Sequence, residues 1–369
     1  MLPSTRRLLV LSVASCLLLM PGAGPLNPPA GSVAPTMKTL QDAEPRTPLS
    51  ATNTPGDVAS VFVITQPGSY YLTGDVRPTG GRNAIMVNAD NVTIDLRGYA
   101  LDGSADTTGF RAGITNSGNR RNLRVFNGTI KSFRGYGMIG RFDTSSFEDM
   151  CLLDSQGGQL EILQSSGCTV RNVRTRAVSG ETGIQLGGNS TVEFCTVEGG
   201  GIGITIQSGV VRGCTVMNPG SVGIYSANGL VVDCAVEGAN STSSVTNGGI
   251  TLGTGAKAER CVLRNCQSAG VNLAGRAEVI DCQFTSCARG VTANLSGRGR
   301  IEGNHFSFCT TAAVNLVGTN SIVVGNRFSG NGANIVAPAG NTLGELVDFS
   351  AAGGTVTAAN CHPLANVVY

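Results

Sequence analysis

From about residue 83 onward, the chain alternates short apolar runs with Gly, Asn, Ser and Cys, and the same order of runs returns every 20 to 26 residues. Two successive units read GIQLGGNSTVEFCTVEGGGI (183–202) and GITIQSGVVRGCTVMNPGSV (203–222). Each run has three to five residues, is rich in Val, Ile and Thr, and alternates apolar with polar positions, which is typical of a β-strand. A repeat of this length predicts a solenoid, with three short strands in each coil.

Equivalent strands of such a solenoid stack as parallel sheets about 4.8 Å apart, so equivalent residues form columns. One inward aliphatic column is predicted to contain Ile184, Ile204, Ile224, Ile250, Val271, Val291 and Val314. A second column, at the turn between the second and third strands, is predicted to contain Asn127, Cys151, Asn172, Cys195, Cys214, Cys234, Cys261, Cys282, Asn304 and Asn326. Cys packs there as a small hydrophobe, whereas the Asn amide bonds to the backbone. Interchange of Cys and Asn at one phase indicates a β-helix.

We therefore predict an all-β chain with about eleven or twelve coils between residues 83 and 336. A solenoid must cover its open ends, so we assign residues 58–82 to an N-terminal cap and 337–369 to a C-terminal cap.

The N-terminus has the layout of a secretory signal over residues 1–24, because Arg6 and Arg7 precede an apolar run that Pro21 ends. The run is too short to cross a membrane. An alternative interpretation makes Cys16 the lipidated residue of a bacterial lipoprotein. Residues 25–57 are rich in proline and predict a linker. We expect a secreted, periplasmic or cell-surface protein without an integral membrane span.

Net charge limits the classes of partner that we expect, and the positions of the cysteines limit the disulfide and metal chemistry that we expect. The 369 residues include 52 Gly and carry a net charge of +2, so no bulk attraction to nucleic acid is expected. Of the 12 Cys, Cys266, Cys287 and Cys309 predict a further column, for which buried thiols and disulfides between coils both remain open. The cysteines lack a CxxC pair, and we predict neither a metal site nor a cofactor.

The repeats, with the segments 62–74 and 91–98, make residues 58–336 resemble the right-handed parallel β-helix repeat proteins of the pectin-lyase-like superfamily, and exported bacterial members in particular. The resemblance implies a right-handed, single-stranded helix. It also implies that a substrate would lie along the outward face of the first strand of each coil. It implies no activity, because one scaffold hosts many chemistries.

On that outward face, the residue after each inward position is a neutral hydrogen-bonding group in seven successive coils, preceded by one acid, Glu161. The neutral residues, which we predict to bind substrate, are Gln185, Thr205, Tyr225, Thr251, Asn272, Thr292 and Asn315. Such a row suits the hydroxyls of a sugar chain. An ordinary solvated strand surface is the alternative interpretation.

Catalysis would need positioned titratable groups, and the best candidates cluster in the irregular coils 131–176. The candidate catalytic residues there are Asp143, Glu148, Asp149, Asp154, Glu161 and Arg174. The four sequence elements of the related polygalacturonases are absent.

Three hypotheses follow. The first is a non-catalytic, monomeric β-helix that binds polysaccharide or a cell-surface glycan, or serves in adhesion. The second is a lyase, hydrolase or epimerase acting on an acidic polysaccharide, with Ca²⁺ a cofactor only in the lyase case. The third is a subunit of a surface assembly that stacks through its ends.

Overall fold

The computed structural model describes residues 44–239, 247–294, 298–349 and 363–369. The predicted signal segment, Cys16 and residues 25–43 of the predicted linker lie outside these ranges. The chain divides into Met1–Pro45 and Arg46–Tyr369, and the second unit is described here. Within the described ranges, no helix has the length and apolar character needed to cross a membrane.

The second unit is a parallel β-solenoid whose described residues form 36 short strands and one 3-10 turn, Gly103–Ala105. The strands are β1 Thr47–Pro48, β2 Ser60–Ile64, β3 Gly68–Tyr71, β4 Asn83–Val87, β5 Val92–Asp95, β6 Ala100–Asp102, β7 Ile114–Asn116, β8 Asn119–Arg121, β9 Leu123–Lys131, β10 Tyr136–Asp143, β11 Ser146–Leu153, β12 Gly158–Ser166, β13 Thr169–Ala177, β14 Thr182–Gly188, β15 Ser190–Glu193, β16 Thr196–Gly199, β17 Ile202–Arg212, β18 Thr215–Met217, β19 Val222–Val232, β20 Ala235–Glu237, β21 Ile250–Leu252, β22 Lys257–Glu259, β23 Val262–Arg264, β24 Ala269–Leu273, β25 Ala277–Ile280, β26 Gln283–Thr285, β27 Arg289–Ala293, β28 Gly299–Glu302, β29 His305–Ser307, β30 Ala312–Leu316, β31 Ile322–Val324, β32 Arg327–Ser329, β33 Ile335–Val336, β34 Thr342–Leu343, β35 Leu346–Asp348 and β36 Asn366–Val368.

Each turn of the solenoid visits three faces in order, which we call A, B and C, and each face carries an inward column. Face A has a second inward column two residues further along each strand, as at Leu186, Ile206 and Leu252. Face A is defined by Phe62, Ile85, Ile114, Met138, Leu160, Ile184, Ile204, Ile224, Ile250, Val271, Val291, Val314 and Ile335. This register confirms the predicted aliphatic column. Twelve of these positions lie between 83 and 336, in agreement with the predicted coil number.

Faces B and C complete the core. The column of face B runs from Tyr70 through Ile94 and Val125 to Val323. The column of face C runs from Leu101 to Phe328, and its last rings, Phe284, Phe306 and Phe328, stack with centroids 4.7 and 5.4 Å apart. Because the inward side chains are almost all apolar and buried, burial of these columns is the main driving force for the fold.

At the corner between faces B and C, the structure differs in part from the column of Cys and Asn residues predicted from the sequence. Cys195, Cys214, Cys234, Cys261, Cys282, Asn304 and Asn326 do stack in one buried column. Asn127, Cys151 and Asn172 were wrongly included, because the inward positions of those rungs are Gly128, Met150 and Val173. Asn127 and Asn172 precede the inward position, and Cys151 follows it.

The residue before each inward corner position has a left-handed backbone, which explains the recurrence of Asn, Asp and Gly there. This outer corner column contains Asn127, Asp149, Asn172, Phe194, Gly213, Asp233, Arg260, Asp281, Gly303 and Gly325, with φ between 50° and 69°.

The inner corner column joins adjacent rungs by hydrogen bonds. Asn326 Nδ2 donates to the carbonyl of Ile301 at 2.9 Å, and its Oδ1 accepts from the backbone N–H of Asn304 at 3.0 Å. The ten described cysteines are free thiols, and nine of them are buried. Burial raises the pKa of Cys309 to about 12, and contact with the Cys214 thiol together with burial raises that of Cys195.

The ends of the solenoid continue the rungs. Within the predicted N-terminal cap, β2 and β3 pair in register with β4 and β5. The end of the predicted linker also belongs to the solenoid, since β1 pairs with β3 and Arg46 lies 2.6 Å from the carboxylate of Asp95. At the other end, β36 pairs with β32 and β35 in the last turn.

Candidate functional site

The outward row predicted on face A exists as a continuous ladder. Glu161, Gln185, Thr205, Tyr225, Thr251, Asn272, Thr292 and Asn315 are direct partners on successive rungs. The row is not uniformly accessible, because Thr251, Asn272 and Thr292 are buried. Its accessible part therefore comprises Gln185, Thr205 and Tyr225 in sequence, with Asn315 beyond the buried section.

A surface depression of about 340 Å³ extends the row toward the N-terminal rungs. Its lining includes Thr115 and Ile139 of face A, with Asn116 and Arg141 at the corner with face B. Ile139 is the rung partner of Glu161, so the depression lies on the rungs next to the N-terminal end of the row. We call the depression, Glu161 and the row from Gln185 to Tyr225 the face A groove.

Glu161 occupies a position unlike that of the other acids. Its side chain turns back along the strand toward Gly158, where a Cβ would lie 2.6 Å from Glu161 Oε1. Gly158 therefore leaves the space that the carboxylate occupies. Burial, and secondarily the charge of Glu181, raises the pKa of Glu161 from 4.5 to about 7.

Two aromatic residues adjoin this carboxylate pair. Tyr136 is the rung partner of Gly158, and its pKa is raised by burial and by the charges of Glu161 and Glu181. The exposed ring of Phe110 meets the Tyr136 ring edge-on, with centroids 5.3 Å apart. Glu161, Glu181, Tyr136 and Phe110 thus combine two carboxylates, a phenol and an exposed aromatic surface along one side of the groove.

The other candidate acids do not converge with Glu161. Asp143 lies at the corner between faces A and B, where it accepts from Asn119 Nδ2 at 2.7 Å. Glu148 points outward on face B and pairs with Arg124 at 2.8 Å. These positions correct the idea of a single charged cluster over residues 131–176.

The remaining candidates lie at the two ends of face C. Asp154 lies at its far corner with φ 59°, and the hydrogen bond from Arg176 lowers the pKa of this carboxyl. Asp149 and Arg174 line one depression at the corner between faces B and C, which is separate from the face A groove. Among the residues that the structure describes, no three His, Cys, Asp or Glu side chains form a group able to hold a metal ion.

Sequence reasoning missed Glu181, Tyr136 and Phe110. The predicted candidates were the residue that follows each inward position and charged residues of 131–176. Tyr136 and Phe110 are uncharged, Glu181 lies beyond residue 176, and all three lie before the face A strands or at their start. The sequence did contain one signal for this site, the pair Gly157-Gly158. Glycines at the start of a strand leave room for the side chains of neighbouring rungs.

The comparisons with known proteins agree with this architecture. A family model described as a right handed beta helix region matches residues 239–362. A tailspike protein mutant of E. coli bacteriophage HK620, solved in complex with a pentasaccharide, is similar to this chain at 13% identity and a TM-score of 0.51, over 84% of this chain and 71% of the tailspike.

The A-module of a mannuronan C-5 epimerase from Azotobacter vinelandii is similar at 13% identity and a TM-score of 0.39, over 80% of this chain and 87% of the module. No curated protein matches the sequence. The chain therefore has an all-β parallel solenoid fold of about 14 turns, consistent with a single-stranded right-handed β-helix.

Proposed function

We propose that the protein binds a polysaccharide along the face A groove. The observation that carries this proposal is the outward row of Gln185, Thr205 and Tyr225 on three successive rungs. Rungs repeat about every 4.8 Å, so the row offers one neutral hydrogen-bonding side chain per step along an extended chain of hydroxyl-bearing rings. The similar fold of a tailspike solved with a pentasaccharide supports the same ligand class.

The direct test is binding of the purified protein to immobilised glycans, followed by titration with the best soluble fragment. Tyr225→Ala should weaken binding about tenfold, because the change removes the aromatic contact of the row. Tyr99→Ala is the matched control, since Tyr99 is an exposed tyrosine outside the groove. Equal affinities of Tyr225→Ala and the wild type would contradict the proposal.

Cleavage of the bound chain is a second candidate function, favoured by the environment of Glu161. A half-buried carboxyl with a pKa of about 7 beside a second carboxylate is suited to donate a proton near neutral pH. In this case Glu161 would protonate a glycosidic oxygen while Glu181 activates water, the two roles that glycosidases assign to paired carboxylates.

Incubation of the glycan that binds best with the protein, followed by measurement of reducing ends and unsaturated products, distinguishes the two functions. A cleaving enzyme should release fragments, and Glu161→Gln should lose this activity while retaining binding. Intact glycan at every pH between 5 and 8 would leave binding as the function.

A further inference from the structure

Phe194 is an anomalous residue in the outer column of the corner between faces B and C. Its φ is 53°, a left-handed conformation that Asn and Gly adopt readily and bulky residues adopt at a cost. Its side chain is 55% exposed, so it also gains little from burial. Asn172 makes the same turn one rung earlier, which shows that the fold itself does not require an aromatic ring here.

The ring of Phe194 is held in place from one side. It lies against Gly213 on the following rung, where a Cβ would come within 2.8 Å of the ring. Toward the preceding rungs, the ring borders a depression of about 290 Å³. Glycine at position 213 therefore permits the ring to stand as a wall of this depression.

The depression is lined by Asp149, Met150, Cys151, Asn172, Val173, Arg174, Phe194 and Thr196. Asn172 Nδ2 donates to Asp149 Oδ1 at 2.6 Å, which orients this carboxylate at the edge of the depression two rungs from the ring. The guanidinium of Arg174 is 3.7 Å from Glu198, a separation longer than a hydrogen bond, and its side chain is 60% exposed. An oriented carboxylate and a largely exposed guanidinium, which forms a long ion pair with Glu198, thus accompany the aromatic wall.

We propose that this Phe194 depression is a second glycan site, which binds a single sugar ring independently of the face A groove. A pyranose ring has an apolar face that packs on an aromatic ring and a rim of hydroxyls that pair with carboxylate and guanidinium groups. The volume lies just below the range of roughly 300–1,000 Å³ that is typical of drug-sized ligand sites, which fits one ring rather than an extended chain. The ligand class rests on the proposed function.

A second site on the same rigid solenoid would raise the affinity for long polymers through avidity. Once one segment of a polysaccharide occupies the groove, another segment of the same chain reaches the Phe194 depression at a raised effective concentration. Loss of the second site should therefore reduce affinity for a polymer more than affinity for a short fragment that occupies the groove alone.

The test replaces Phe194 with the residue that the preceding rung uses. Phe194→Asn removes the ring and places a residue favoured at positive φ, so thermal unfolding should occur at or above the wild-type temperature. Phe308→Asn is the matched control, because Phe308 is also exposed, has φ 56° and packs against a glycine, Gly330, at another corner.

Calorimetric titration with chitohexaose, cellohexaose and a mannuronate hexamer provides the readout. We expect two binding sites in the wild type with the hexamer that binds, one site in Phe194→Asn, and two in Phe308→Asn. Affinity for the corresponding polymer should fall about tenfold in Phe194→Asn.

Unchanged stoichiometry and affinity in Phe194→Asn, with binding reduced by Tyr225→Ala, would overturn this inference and leave the groove proposal intact. Binding reduced by Phe194→Asn and unchanged by Tyr225→Ala would support the second site and contradict the groove. Absence of binding to all three hexamers and their polymers would overturn both.

Discussion

The raised pKa of Glu161 predicts that this carboxylate destabilises the protein at neutral and alkaline pH. Its pKa is about 7 in the folded protein, against 4.5 as the ordinary value. Between these two pH values, Glu161 holds a proton in the folded state and has released it in the unfolded state. The contribution of Glu161 to the free energy of unfolding therefore falls as pH rises from 4.5 to 7 and is constant above pH 7. The difference corresponds to about 3 kcal/mol, which solvent contact of the half-buried side chain reduces to about 2 kcal/mol.

The perturbation that isolates this effect is Glu161→Gln, which keeps the shape of the protonated carboxyl and removes its titration. We expect the variant to match the wild type at pH 4 and to exceed its unfolding free energy by about 2 kcal/mol at pH 8. Glu181→Gln should produce a smaller gain, because the charge of Glu181 is only the secondary cause of the raised pKa.

The assay is urea unfolding at a series of pH values, followed by far-ultraviolet circular dichroism because the chain contains no Trp. Wild type and Glu161→Gln with parallel stability profiles from pH 4 to 8 would refute the reasoning and, with it, the assignment of Glu161 as a proton donor.

Three further predictions concern the core and the thiols. Asn326→Ala should lower the unfolding free energy by about 3 kcal/mol, because it leaves the buried N–H of Asn304 without its acceptor; urea unfolding with a loss below about 1 kcal/mol would contradict this role. Thr175→Val should raise the unfolding free energy by about 1 kcal/mol, since the buried Thr175 hydroxyl has no hydrogen-bond partner in the described structure; a lower unfolding midpoint would count against it. Among the described cysteines, Cys151 should react first with a thiol reagent, because the other nine are buried; peptide mapping that finds Cys214 modified before Cys151 would argue against this packing.

The repeating part of the structure was predicted well from the sequence, because equivalent residues make the same contacts in every rung and therefore recur with one period. The column from Ile184 to Val314 was found in full, since each member has the same neighbours one rung away. The error at Asn127 and Asn172 has a physical cause: Asn suits both the outer corner position, through its tolerance of positive φ, and the inner one, through its amide. Residue type alone cannot separate these adjacent positions. Asn304 and Asn326 were placed correctly because Gly303 and Gly325 take the outer position.

The site was predicted less completely than the fold. Glu161 was found from its place in the outward row, whereas Glu181 was missed because the two residues are not rung partners. They interact because the Glu161 side chain turns back over Gly158. Alternation of inward and outward residues also carries no information about what covers an outward face. The burial of Thr251, Asn272 and Thr292 therefore could not be read from the sequence.

The most direct test of the central claim, that a glycan lies along face A, is a crystal structure of the protein with the hexasaccharide that binds most tightly. We expect consecutive sugar rings along the rungs, with hydroxyls within hydrogen-bond distance of Gln185, Thr205 and Tyr225. A hexasaccharide bound only on face B or only at a corner, with these three side chains in contact with solvent, would contradict it.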